Sequence, residues 1–267
     1  MSGPRPGVHG RAAGERELGA LALFGLALAA GALGALGSLL FRGVLALVQN
    51  LLFHGRIGLT LDPHVPLEPS PWGAGIILVP VVGALGVTWI TRRLSPEVRG
   101  SGVPEVLYAL HYYGGRMRPR VALSKALASA LSIGSGASVG REGPIVQIGS
   151  VFGAAVSGLA RIPPHQRVVL VAAGAAAGIA ATFNAPLGGL AFAVELLLIS
   201  VSARNVALVA SATATAAYLA GLAGGFGPVL PLAELVGSPG PGTALLELAA
   251  CLPLGVLAGV AAAGLER

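Results

Sequence analysis

Three short segments carry the residue types and spacings that could handle a small anion. In Gly100-Ser-Gly-Val-Pro-Glu105, two glycines and a serine precede a proline suited to the first turn of a helix, where its missing N–H costs nothing. Glu105 follows in that same turn. The unpaired N–H groups at a helix start and the positive end of its dipole attract negative charge. A serine hydroxyl adds a donor without adding a full charge. This matters for conduction, because an ion must bind well enough to enter and weakly enough to leave. The alternative role of Ser101 is to cap the helix, and the two roles are compatible.

The second segment, Gly140-Arg-Glu-Gly-Pro144, repeats the logic. Glu142 stands where an anion would otherwise bind. It can act as a gate by occupying that position and leaving it when protonated or displaced. It can equally be a dipole-stabilising carboxylate paired with Arg141. The third segment runs from Gly178 to Glu195 and contains Phe183-Asn-Ala-Pro-Leu-Gly-Gly189. Asn184 suits a helix cap with Pro186 in the first turn. Glu195 follows in an apolar neighbourhood, where an acid is either a functional group or a structural one satisfied near the membrane edge.

Elements that place such segments must cross a bilayer. Of the 267 residues, 54% are hydrophobic and 10% charged, against roughly 25% charged in soluble domains. Leu18 to Phe41, Pro69 to Thr91, Val168 to Val194 and Asn205 to Ala233 contain no Asp, Glu, Lys or Arg. Crossing the hydrocarbon takes about 20 apolar residues in a helix, so roughly four to seven spans fit. The alternation of a β-barrel is absent. The reading is an all-α, polytopic membrane protein with tilted and half-length helices. Glu105 to Tyr113, Arg118 to Ile133 and Ile145 to Ala160 are short, whereas Phe183 to Ser200 and Ala203 to Leu222 are near spanning length. Backbone that leaves the helix at membrane depth must be buried in protein or line a cavity. The breaks at 100–102 and 134–143 are therefore the candidate ion sites.

The net charge of +6 fits loops retained in the cytoplasm better than nucleic-acid binding, for which aromatic interleaving and a soluble scaffold are lacking. Arg5, Arg11 and Arg16 precede the first span, and Arg92, Arg93 and Arg99 follow the second. This bias puts the N-terminus in the cytoplasm. A lone Cys251 excludes an internal disulfide, and the histidines show no metal-ligand spacing, so neither metal nor cofactor is expected. Gly136-Ala-Ser138-Val-Gly140 fits the G-x-S-x-G pattern of a serine hydrolase, with His165 the only plausible base. In a chain with 41 glycines that pattern is permissive, and the chain is not read as an enzyme.

Taken together and in order, the three segments resemble the CLC family of chloride channels and proton-coupled chloride transporters, over about residues 18 to 265. Gln147 and Gly149 after the second segment add to the likeness. The resemblance implies the first repeat of an inverted-repeat fold. On that basis residues 1–17 are a cytoplasmic segment and 18–222 the first membrane repeat. Residues 223–242 are a Gly/Pro-rich linker, and 243–267 the first helix of an incomplete second repeat. It implies that Ser101 donates to a central chloride, that Glu142 is the external gate and, in transporters, the proton carrier, and that the Gly143 amide contributes to the same path. Gly102 lies beside the inner end of that path, with Gly100, Pro104, Arg141 and Glu195 as secondary candidates. It further implies a multi-pass protein of the cell membrane, chloride as the transported ion, and a homodimer.

Two departures qualify this. The Gly-x-Phe-x-Pro segment and the tyrosine of the family's second repeat are not found, so the sequence is expected to be a fragment or truncated product. The position after Glu195, a proton-relaying glutamate in many exchangers, is Leu196. That substitution favours a passive chloride channel, with proton/chloride antiport as the alternative.

Overall fold

The computed structural model describes residues 16–60, 70–94, 98 and 100–224, with scattered residues between 249 and 264. Two compact units are present, Met1–Phe226 and Gly227–Arg267. In the second, the described residues between 249 and 264 are helical and exposed. The expected linker at 223–242 lies almost wholly outside the described residues.

All regular structure among the described residues of the first unit is helical. Helix α1 (Ala20–Gln49) ends in a π-helical turn, Asn50–His54. A 3-10 turn, Gly73–Leu78, leads into α2 (Val79–Arg93). Then come α3 (Val103–Tyr112), α4 (Pro119–Gly134), α5 (Glu142–Leu159), α6 (Pro164–Phe183), α7 (Pro186–Phe192) with a π-helical continuation Ala193–Leu197, and α8 (Ala203–Gly224). Four stretches are long and apolar enough to span a membrane: Ala20–His54, Gly73–Arg93, Pro164–Phe183 and Ala203–Gly224. Helix α6 is the buried centre, with α1, α5, α7 and α8 packed around it.

Close packing of α5 on α6 is written in two Gly-x-x-x-Gly pairs. A Cβ on Gly149 would press into the Gly174 carbonyl oxygen, and one on Gly153 into the Leu170 carbonyl. On the other helix, a Cβ on Gly174 would press into the Gly149 carbonyl, and one on Gly178 would stand 2.9 Å from that of Ile145. Small residues let the two backbones touch, which is the main source of helix affinity where lipid removes the hydrophobic drive. Alanines do the same between α1, α6 and α8, whose shared core includes Ala35, Ala177, Val209 and Ala212.

One expected span is corrected. The stretch from Phe183 to Ser200 is not near spanning length. Asn184 takes a left-handed conformation (φ 50°) and closes α6, so it is a C-terminal residue of that helix and not the N-cap of the next. Ala185 is the N-cap of α7, which then runs back along α6, with Gly189 set against the Ala176 carbonyl. Asparagine is among the few non-glycine residues that accept this geometry.

Several helix ends bring arginines to one side. Arg16 N–H donates to the Arg161 carbonyl at 3.1 Å, and Gln166 exchanges two hydrogen bonds with the Leu18 backbone. Gly114 and Gly115 pack on Pro164 and Arg167. Gly83 lies against Ser135 and Gly86 against Leu131, so α2 and α4 are antiparallel and Arg93 points toward the end where α4 begins at Arg118. Helices α1 and α8 run in parallel, since Gly31 meets Ala212 and Gly224 meets Arg42. One face of the unit therefore gathers Arg16, Arg93, Arg118, Arg161 and Arg204.

Candidate functional site

The two glycine-serine and glycine-glutamate breaks meet. Helix α3 begins after Gly102, and α5 begins at Glu142. A Cβ on Gly102 would lie 2.7 Å from the Gly143 carbonyl oxygen, and one on Gly143 would overlap the Ser101 carbonyl. Neither clash is with a movable side chain. The two helix starts are in direct backbone contact, and only glycine at both positions permits it. Gly100 and Gly102 carry φ of 96° and 103°, values that favour glycine. Pro104 sits within the first turn of α3, as its chemistry requires.

Ser101 is exposed and makes no cap bond to α3, whose N-cap is Gly102. The capping role is thus set aside, and Ser101 lines a cavity of about 780 Å3. The same cavity is lined by Glu142, Gly143 and Gly140, and by Lys125, Ser129 and Thr91. Glu142 is also exposed, and its carboxylate folds back over Gly140. Arg141 stands 5.1 Å from the centre of the Phe183 ring, so the second segment engages the end of α6, just before Asn184. A cation over an aromatic face contributes about 0.5–2 kcal/mol.

Glu195 is not brought to this cavity. It lies exposed on the π-helical turn after α7, as does Leu196 beside it. The hydrolase constellation fails on distance. Ser138 precedes α5 and His165 follows it, with the eighteen residues of that helix, about 27 Å, between them.

Lys125 is the functional residue that pattern reading did not single out. It is 3% exposed, and its Nζ donates to the Val98 carbonyl at 2.9 Å and to that of Gly100. Two carbonyls leading into the Ser101 loop are thereby tied to α4. The Glu105 carboxylate folds toward Gly100 from the other side, and Gln147 Oε1 lies 3.3 Å from the position a Gly102 Cβ would take. A lone lysine in an apolar half-length helix was the available signal. Lys125→Met removes the donor of both carbonyls. It is expected to destabilise the fold by about 1–3 kcal/mol, the cost of orphaning a buried acceptor. Thermal unfolding in detergent checks this, and an unchanged midpoint would refute the anchoring role.

A helical bundle with several apolar spans and two half-length helices that start at one cavity defines a polytopic membrane protein. The family model described as voltage gated chloride channel matches residues 83–267, and the chain belongs to that family, the CLC proteins. Over 129 residues it is 39% identical to the H(+)/Cl(-) exchange transporter ClcA of Klebsiella pneumoniae (strain 342), covering 46% of this chain and 26% of that one. Over 152 residues it is 38% identical to ClcA of Vibrio cholerae serotype O1 (strain ATCC 39541), covering 52% and 31%. The chain thus spans about a quarter to a third of the curated relatives it matches. The crystal structure of a slow cyanobacterial Cl-/H+ antiporter shares the fold, with a TM-score of 0.58 at 24% identity over 80% of this chain and 49% of that one.

Proposed function

We propose that this chain supplies one half of a chloride pathway in a proton-coupled chloride exchanger, with Ser101 as anion ligand and Glu142 as gate and proton carrier. The observation that carries the reading is the backbone contact between Gly102 and Gly143. That contact supports it because Ser101 and Glu142 both line the cavity at the two helix starts. Donors fixed before an anion arrives cost no reorganisation, and two dipole ends favour negative charge without a permanent countercharge to trap it. A carboxylate at the same place competes for it. Protonation removes the competitor, which links the two ions.

The names of the relatives favour exchange over the passive channel that Leu196 suggested. The channel remains the second reading, because leucine cannot relay a proton. Chloride and proton fluxes recorded together in sealed liposomes separate the two. Exchange requires alkalinisation or acidification in step with chloride, and chloride movement at constant pH would overturn it.

The basic face is proposed to be cytoplasmic, as retention of Arg-rich loops requires, in the cell membrane. Residues 18–222 act as a first repeat, with 223–242 as linker and 243–267 as the start of a second, and the working assembly is a homodimer. Ser101→Pro removes the hydroxyl donor and is expected to shift permeability toward nitrate over chloride. Bi-ionic flux ratios in liposomes measure this, and an unchanged ratio would remove Ser101 from the ligands.

A further inference from the structure

Gln147 is a buried polar side chain that the Ser101 cavity leaves unexplained. It lies one turn after Gly143 on the same face of α5, and a helical side chain leans back over the preceding turn. Gly143 has no side chain there, so the amide comes up against the start of α3. A Cβ on Gly102 would lie 3.3 Å from Gln147 Oε1 and 2.7 Å from the Gly143 carbonyl oxygen. Gln147 is 1% exposed, and its Oε1 has no hydrogen-bond partner among the described residues. A buried acceptor is normally given a donor, so this one needs an explanation.

Its surroundings supply one. The first N–H groups of α3 lack partners within the helix, and the positive end of the helix favours an electron-rich group. An amide oxygen is such a group without a net charge. The same amide carries two N–H donors, so turning it over exchanges an acceptor for a donor at nearly the same place. Gln147 also lines a cavity of about 680 Å3 that shares no lining residue with the Ser101 cavity. Its ionisable lining groups are Glu105, Tyr108, Tyr113, Arg116 and Arg118, and Arg118 stands on the basic face. The amide thus lies between a cavity that reaches that face and the helix start that carries Ser101.

We infer that Gln147 is a further anion ligand, at the start of α3. Its amide oxygen takes the anion's place when none is bound, and its amide N–H donates to the anion when one arrives. Glu142 competes at the start of α5 with a charge that a proton removes. Gln147 competes at the start of α3 by rotation, with no charge to remove. The inference deepens the proposed pathway and rests on the two helix starts as its anion site.

Chloride binding to the purified chain in detergent, read by titration calorimetry, tests it apart from transport. Glu142→Gln serves as the reference, so that titration of the gate does not enter. Adding Gln147→Met keeps the shape and loses the donor. It is expected to weaken binding about fivefold at about pH 8 and at about pH 5 alike. Adding Gln147→Glu is expected to weaken it at least about tenfold at about pH 8, where a fixed negative charge holds the anion's place, and to recover most of the loss at about pH 5. A role in packing alone gives the glutamate variant a loss that ignores pH. Helical content by circular dichroism checks folding, and either variant alone decides the matter. Reference affinity in the methionine variant, or the same loss at both pH values in the glutamate variant, would overturn the ligand. So would a reference protein that binds no chloride. Binding that depends on Gln147 in a chain that moves no chloride in liposomes would retain the ligand and remove the transport reading. Coupled fluxes with an affinity indifferent to Gln147 would do the reverse.

Discussion

Replacing Glu142 with glutamine is expected to abolish proton movement while chloride continues to flow. Glutamine keeps the shape and loses the titratable group. The side chain is exposed to the cavity and sits at the first position of α5, so the substitution disturbs no packing. What changes is competition. The ionised carboxylate is attracted to the same helix start that would hold an anion, while neutral glutamine competes poorly for it. Chloride flux should then lose its dependence on pH, and coupled proton flux should fall to the level of empty liposomes. Alanine should behave alike. Parallel recordings of chloride efflux and of internal pH across a range of external pH test this. Retention of proton flux, or of the pH profile of chloride flux, would show that Glu142 is not the gate.

The second large effect concerns Gly143. A single methyl at this position would overlap the Ser101 carbonyl, in a loop that Lys125 holds at the preceding carbonyl, Gly100. The loop cannot yield without giving up the Lys125 hydrogen bonds or the left-handed geometry at Gly100 and Gly102. Gly143→Ala is thus expected to separate the two helix starts and reduce chloride flux at least about tenfold, corresponding to a lost interaction of roughly 1.4 kcal/mol or more. Gly158→Ala is the control, because its Cβ would meet nothing within 4 Å. Equal flux in Gly143→Ala and Gly158→Ala would mean that the contact between the starts is not needed for permeation.

Much of this arrangement is legible in the residues because it depends on glycine and proline. The breaks before α3 and α5 were expected from Gly-Ser-Gly-Val-Pro and Gly-Arg-Glu-Gly-Pro, and both helices begin within three residues of the anticipated points. Their convergence was legible only by resemblance, since no local rule says that Gly102 and Gly143 touch. Charge-free runs announced α1, α2, α6 and α8 well. They failed after α6, where the apolar run continues unbroken through Asn184 while the backbone reverses. Apolarity reports the solvent and is blind to a turn made inside it. The reversal also carries Glu195 on the short returning helix away from the Ser101 cavity. Lys125 was visible as an oddity in its helix, but its partners are backbone carbonyls, which no side-chain pattern encodes.

Ser101 depends on a loop tied to α4 by the Lys125 hydrogen bonds to Val98 and Gly100.

Everything rests on a small anion sitting where the starts of α3 and α5 converge. Anomalous diffraction from crystals grown in bromide reads that position directly. The account predicts a bromide peak within hydrogen-bonding reach of the Ser101 hydroxyl, beside Gly143. Well-ordered density for Ser101 and Glu142 with bromide absent from the space between them would contradict it.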